Sequence, residues 1–190
     1  YTRSQKPKNT KEYGIFSFLR GFTVALIFIF AILMVLKLTF SPIKISGTSM
    51  EPAMKDGQVW FSTIKEFKHP NRGDIVTAYN VLDRVRIVKR VVATEGDQIK
   101  ILDSGIYING SLEDNSTETK KMVEDTTTWL GAHKGLTTTV GKDEYFLMGD
   151  NRENSVDSRK GGIFPSSTIR TVVTLQAPDL VKNLLDKSLK

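Results

Sequence analysis

The chain of 190 residues contains no cysteine and only two histidines, and these absences exclude several kinds of chemistry. Without cysteine no disulfide can form, so the folded part must be stabilised by its hydrophobic core alone. No group of histidine and carboxylate residues has the spacing of a metal site, and no phosphate-binding glycine loop is present. We therefore expect no cofactor and no metal.

The net positive charge is low outside the N-terminal segment. The formal net charge is +6, and residues 1–20 carry +4 of it, so the remainder of the chain is close to neutral. A basic segment followed by a nearly neutral body is typical of membrane topology and not of a nucleic-acid groove. We expect no nucleic-acid partner.

One long apolar run is present. Residues 21–36 carry no charge, Lys37 can extend its amine to the interface, and residues 38–40 lengthen the run to about the 20 residues that a bilayer requires. A cleaved signal peptide is the alternative, but the run is long for one and no small-residue cleavage site follows it. The basic flank precedes the run, so we predict a single-pass plasma-membrane protein with a cytoplasmic N-terminus and an extracellular domain.

Beyond this segment the sequence predicts an all-β fold. Alternating runs such as residues 85–94 and 144–148 are separated by turns containing glycine, asparagine and aspartate. The stretch 111–143 has little apolar patterning and predicts an insertion of ribbons or loops. The predicted parts are a basic tail (1–20), a transmembrane helix (21–40), a β core (41–102 and 144–178), an inserted subdomain (103–143) and a C-terminal tail (179–190).

Ser49 and Lys89 are the most informative candidates for chemistry. Ser49 lies in a turn bracketed by glycine and proline, just after the apolar segment. Because side chains alternate along a strand, Lys89 shares a face with apolar residues, whereas Arg86 and Arg90 share the other. Burial lowers the pKa of a lysine, and a neutral amine can deprotonate a serine. Taken alone, a turn serine and a solvent-reaching lysine explain the same pattern.

Three ordered motifs resemble those of bacterial type I signal peptidases. They are Ser-Met-Glu-Pro at 49–52, Lys-Arg-Val-Val at 89–92, and Gly-Asp-Asn-Arg-Glu-Asn-Ser-Val-Asp-Ser-Arg at 149–159. The resemblance covers residues 21–175, and the single anchor and short insertion are similar to the Gram-positive branch. It implies antiparallel sheets with a smaller inserted β-region, and a membrane-bound serine endopeptidase that removes signal peptides from exported preproteins.

The resemblance also implies the roles of the central residues. Ser49 would be the nucleophile and Lys89 the general base of a Ser/Lys dyad, with Ser155 orienting the lysine amine. Some members have a hydroxyl donor to the oxyanion where this chain has Gly47, so the backbone N–H of Ser49 becomes the expected donor.

Further residues of the third motif resemble the family's structural supports. Arg90 with Asp150, and Asp157 with Arg159, would form ion pairs that hold this motif against the catalytic strands. Gly149 is expected to supply a turn conformation that other residues avoid.

The implied substrate is the C-region of a signal peptide with small residues, such as alanine, at the first and third positions before the cut. An extended peptide can add to exposed strand edges while shallow pockets select its side chains. Apolar residues placed to line those pockets, or to form ordinary core, are Ile43, Ile45, Met50, Met54, Ile87 and Val88. Membrane lipid is the second expected partner, and either lipid contact or core packing suits Trp60, Phe61, Ile64 and Phe67.

Other functions remain open on the residues alone. An inactive signal-peptidase-like assembly factor for exported, pilus-type subunits would share the fold, although it would be expected to lack Ser49 or Lys89. A self-cleaving repressor would need a DNA-binding module where this chain has an apolar helix. A sensor or adhesin ectodomain would leave the three motifs unexplained.

Overall fold

The computed structural model describes residues 10–64, 66, 69–80 and 83–178, in two compact units. The first unit ends at Thr39 and contains helix α1 (Thr10–Thr39). Within it, the 20 residues Phe16–Val35 have a mean hydropathy of 2.5 and are long and apolar enough to cross a membrane. The helix begins earlier than the predicted position 21, because backbone hydrogen bonding continues into the more polar residues of the predicted tail.

The second unit begins at Phe40 and consists mainly of antiparallel strands. In chain order its elements are β1 (Phe40–Lys44), β2 (Val59–Ile64), β3 (Ile75–Asn80), β4 (Val85–Ala93), β5 (Gln98–Leu102), β6 (Gly105–Ile108), β7 (Ser111–Asp114), α2 (Thr117–Glu124), α3 (Trp129–Ala132), β8 (Thr137–Thr139), β9 (Glu144–Met148), α4 (Ser158–Gly161), β10 (Phe164–Pro165), a 3-10 helix (Ser166–Thr168) and β11 (Ile169–Gln176).

These strands form two sheets. The larger has seven strands in the order β1-β2-β11-β3-β4-β9-β10, and the smaller has four in the order β7-β6-β5-β8. The predicted boundary at 102/103 is wrong, because β5 pairs with β6 and β8 instead of joining the larger sheet. The tight turn after Leu102 brings β5 directly beside β6, and Ile99 and Ile101 then pack into the core of the small sheet.

The insertion also contains helix, where ribbons or loops were predicted. Ser116 caps α2 by accepting a hydrogen bond from the backbone N–H of Thr119. Thr119 and Val123, four residues apart, are buried on one face of this helix. Helix α2 therefore packs against the domain through one face, on which the buried positions are about one helical turn apart.

Strand β4 connects the parts of the core. Val92 belongs to the cluster shared with the small sheet, Val91 to a second cluster within the large sheet, and Val88 packs against a third. Lys89 and Arg90 lie between these apolar anchors. Their backbone is therefore fixed on both sides along the strand.

Candidate active site

Ser49 lies in the loop between β1 and β2, and hydrogen bonds hold this loop in place. The Ser49 carbonyl accepts from the N–H of Asn151 at 3.1 Å, and the Asn151 side chain donates to the Thr48 carbonyl at 3.2 Å. Gly47 has a φ of +89°, in the region that favours glycine, and its N–H donates to the Asp56 carboxylate at 2.8 Å. The turn that carries Ser49 is thus attached to the third motif at one end and closed by Asp56 at the other.

Lys89 reaches this serine from β4. Its Nζ lies 2.8 Å from Ser49 Oγ and donates to the Val88 carbonyl at 3.1 Å, and the residue is only 3% exposed. Burial lowers the pKa of Lys89 below its ordinary value, although the negative charge of Asp157 partly opposes this. An amine of lowered pKa therefore lies in hydrogen-bond contact with a serine hydroxyl, which is an arrangement that can activate the hydroxyl.

Ser155 is buried beside the dyad, but the expected hydrogen bond to Lys89 is not formed. Its Oγ has no hydrogen-bond partner in the part of the chain that the structure describes. The Lys89 amine instead contacts Ser49 Oγ and the Val88 carbonyl.

Gly149 is required for a reason other than the predicted one. Its φ is not among the positive values, so no special turn conformation is needed. Instead, a Cβ at this position would lie 2.5 Å from the Ser49 carbonyl oxygen and closer still to Ser155 Oγ. Glycine thus permits the close approach of the third motif to the serine loop.

The two ion pairs implied by the resemblance are both formed, in different surroundings. Arg90 binds Asp150 through two hydrogen bonds, at 2.7 and 2.5 Å, and also donates to the Gly73 carbonyl at 2.7 Å. The hydrogen bond to Asp150 is the main cause of the raised pKa of Arg90. This pair is partly open to solvent and ties β4 to the start of the third motif.

Arg159 is fully buried and makes two 2.9 Å hydrogen bonds to Asp157. Burial alone would lower the pKa of Arg159, but its bonds to Asp157 outweigh burial and the net shift is upward. Asp157 also accepts the Gly149 N–H at 3.0 Å. One carboxylate therefore joins the buried guanidinium to the glycine that packs on the serine loop.

Sequence reasoning missed the part that the insertion plays here. Arg159 also donates to Thr119 Oγ1 at 2.9 Å and lies 3.4 Å from Asp114, and both of these residues belong to the insertion. Glu153 accepts the backbone N–H groups of Thr117 and Glu118 at the start of α2. The only sequence signal for this connection was that Glu153 belongs to the third motif. The inserted subdomain is thereby joined to the loop behind the dyad.

A cleft of about 680 Å³ opens beside Ser49 and Lys89. Of the predicted pocket residues, the five that line it are Ile43, Ile45, Met50, Ile87 and Val88. Met54 does not line it. The turn in which the Met54 N–H donates to the Met50 carbonyl directs Met54 into the core, where it is fully buried.

The structure describes three of the four apolar residues considered for lipid contact. Trp60 is half-buried and packs against the cluster behind the cleft, and Phe61 and Ile64 are half-buried on β2. Phe67 lies outside the described residues.

The chain is similar to known proteins of one family. Residues 16–176 match the family described as signal peptidase, peptidase S26. Signal peptidase I of Bacillus licheniformis is 31% identical over 166 residues, which cover 83% of this chain and 85% of that protein. Signal peptidase I P of Bacillus subtilis subsp. natto is 33% identical over 164 residues, covering 84% and 86%. A solved structure of a signal peptidase I from Enterococcus faecalis V583 aligns with 24% identity and a TM-score of 0.39, covering 56% of this chain and 98% of that one.

The predicted family is confirmed by the match over residues 16–176, and the predicted all-β fold class by the two antiparallel sheets. The relatives are signal peptidases by name, which does not favour the inactive assembly factor. The chain belongs to the signal peptidase family, peptidase S26.

Proposed function

We propose that this chain is a membrane-anchored serine endopeptidase that removes signal peptides from exported preproteins, with Ser49 as nucleophile and Lys89 as general base. The observation that carries this proposal is the 2.8 Å contact between Lys89 Nζ and Ser49 Oγ, in surroundings that lower the pKa of the amine. Membership of the signal peptidase family supports the substrate class.

The first half of the reaction forms an acyl-enzyme. Neutral Lys89 takes the hydroxyl proton while Ser49 Oγ attacks the carbonyl carbon of the scissile peptide bond. The resulting ammonium then gives that proton to the departing amine, which is the new N-terminus of the mature protein. In the second half, neutral Lys89 deprotonates a water molecule, which attacks the ester carbonyl carbon. The bond to Ser49 Oγ then breaks, the ammonium returns the proton to this oxygen, and the signal peptide leaves with a new carboxylate.

The oxyanion formed in each half needs a hydrogen-bond donor. The backbone N–H of Ser49 donates to no group within the described residues, so it is available to the developing negative charge. A side-chain donor at position 47 is disfavoured, because the φ of +89° strains any residue other than glycine. The nucleophile's own backbone is therefore assigned as the donor.

Two strand edges offer positions for an extended substrate. β1 is the edge strand of the large sheet, and β4 pairs with β9 only from Arg90 onward, which leaves the edge of residues 85–89 without a strand partner in the described structure. A peptide between these edges gains backbone hydrogen bonds, and its alternate side chains enter the cleft. The apolar walls suit small residues at the first and third positions before the cut. Ile43, Ile45, Met50, Ile87 and Val88 are assigned to these walls.

The remaining assignments concern support and topology. The pairs Arg90–Asp150 and Asp157–Arg159 hold the third motif against the serine loop, and Ser155 fills the space behind the lysine amine. The basic residues 1–20 are assigned to the cytoplasmic side and the β domain to the extracellular side.

The test is cleavage of a preprotein by the full chain in an uncharged detergent. We expect Ser49→Ala and Lys89→Ala each to abolish product formation with the fold retained, and Lys89→Arg to remain inactive because a guanidinium stays protonated. Matched controls are Ser104→Ala and Lys100→Ala, which change the same residue types in the small sheet. A Ser49→Ala rate above about 1% of wild type would contradict the assignment of the nucleophile.

A further inference from the structure

The cleft beside the dyad has a cationic outer part that the proposed chemistry does not use. Besides Lys89, three basic residues line it, namely Lys44, Arg86 and Arg170, and no carboxylate lines it among the residues described. Arg86 and Arg170 are exposed and form no ion pair within the described part of the chain. Two guanidinium groups are thus presented to whatever occupies the cleft.

Both arginines are displaced from Lys89 in the same direction along the strands. Arg86 precedes Lys89 by three residues on β4, which is about 10 Å along a strand. Strand pairing aligns Lys89 with Val76 and Val172, and Arg170 lies two residues before Val172. Arg170 on β11 is therefore displaced from the level of Lys89 in the same direction as Ile87 and Arg86 on β4.

This direction corresponds to the part of the substrate before the cut. Ile87 and Val88, assigned above to the walls that select small residues, lie between Lys89 and Arg86. An extended peptide also advances by about 3.3 Å per residue. A residue about 10 Å upstream of the scissile bond is therefore the fourth before the cut, give or take one position.

We propose that Arg86 and Arg170 form a subsite for a carboxylate side chain three to five residues before the scissile bond, so that preproteins with aspartate or glutamate there are cleaved preferentially. The proposal rests on the proposed function, because it uses the same cleft and substrate direction. Guanidinium groups suit a carboxylate, since their planar donors can bind both of its oxygens. A peptide is favoured over a lipid headgroup because both arginines line the cleft that contains Ser49.

The test compares two peptides that differ only by Asp or Asn at the fourth position before the cut, with alanine at the first and third. With the full chain in uncharged detergent and low salt, we expect kcat/KM to be roughly three- to tenfold higher for the Asp peptide. Arg86→Gln combined with Arg170→Gln should abolish this preference, so that kcat/KM becomes the same for the Asp and Asn peptides. The control Lys100→Gln removes a charge from the small sheet and should retain the preference.

The outcomes separate this inference from the function on which it rests. Cleavage of both peptides at equal rates by wild type, with Ser49→Ala inactive, would overturn the subsite and leave the peptidase standing. An equal effect of added phosphatidylglycerol on both peptides, lost in the double variant and without an Asp preference, would assign the arginines to lipid and also overturn it. Absence of Ser49-dependent cleavage of either peptide would instead contradict the proposed function.

Discussion

Among the residues that the structure describes, two segments bury a basic side chain, and its surroundings differ between them. On β4, Lys89 is 3% exposed and forms hydrogen bonds with the Ser49 hydroxyl and the Val88 carbonyl. In the short helix α4, Arg159 is fully buried and is bound by the carboxylate of Asp157, the N-cap residue of this helix. The pKa of the lysine is lowered, mainly by burial, and that of the arginine is raised by its carboxylate.

The two environments suit different roles, one for a base and one for a structural ion pair. A cation that is buried beside neutral groups loses its proton more easily, which is what a base requires. A buried cation that is saturated by carboxylates stays charged and holds its partners in place. Asp157 connects the two segments, because it binds Arg159 directly and raises the pKa of Lys89 only from a distance.

The largest expected effect comes from replacing the lysine with an apolar residue of similar length. Lys89→Met should lower kcat/KM by at least about a thousandfold, since it removes the base that activates Ser49. The unfolding free energy at pH 7 should equal or exceed that of wild type, because no amine then has to be desolvated. Rates of preprotein cleavage and chemical denaturation measure the two properties, and a large loss of stability would contradict the view of Lys89 as an uncompensated buried amine.

The same substitution at the other buried cation should act on stability. Arg159→Met leaves Asp157 and Asp114 buried without their common partner, so we expect a loss of about 3–5 kcal/mol in the free energy of unfolding. Thermal and urea unfolding of the full chain in detergent measure this loss. The partly exposed Arg90 provides the control, and Arg90→Met should lower the free energy of unfolding by less. Equal losses in the two variants would contradict the view that the buried pair of Arg159 matters more for stability than the partly exposed pair of Arg90.

The character of Lys89 could be predicted from the sequence because alternation along a strand is a local property. The neighbours of Lys89 place it on an apolar face, and the structure buries it. Ser49, by contrast, is indistinguishable from an ordinary turn serine until a motif is matched, since its role depends on a residue forty positions away.

The surroundings of Arg159 could not be predicted, because they depend on contacts between distant segments. Thr119 and Asp114 reach Arg159 only after the small sheet has formed with β5 as a member, and the strand pattern alone had assigned β5 to the larger sheet. The prediction for Met54 is wrong for a related reason. Its position near Ser49 suggested a pocket, but a turn directs its side chain into the core.

A smaller effect is expected where the two segments meet. Gly149→Ala places a methyl group against Ser155 Oγ and the Ser49 carbonyl, so the third motif must shift away from the serine loop. We expect a loss of about 1–3 kcal/mol in stability and a reduced kcat/KM. Gly110→Ala is a control for glycine replacement, because it has open space around its Cβ, although its φ of +82° adds strain. An unchanged kcat/KM in Gly149→Ala would show that this close approach does not position the nucleophile.

The smallest effect concerns Ser155 and is best measured against pH. Because the pKa of Lys89 is lowered and only the neutral amine accepts a proton, kcat/KM should rise with pH along a limb whose midpoint lies below the ordinary value of 10.5. The contribution of Lys89 to stability should change with pH in the same direction. An unfolded chain binds a proton at Lys89 more readily than the folded one, so this residue makes unfolding less favourable as pH rises toward 10.5.

Ser155→Ala deletes a buried hydroxyl that has no partner among the described residues, so stability should be unchanged or slightly greater. If Ser155 restrains the lysine amine, kcat/KM should fall by roughly three- to tenfold across the limb, and Ser155→Thr should recover part of the loss. The pH profiles of wild type and both variants decide the matter. An unchanged profile in Ser155→Ala would assign the orientation of Lys89 to the Val88 carbonyl alone, and a wild-type limb at 10.5 would contradict the contrast between the two buried cations.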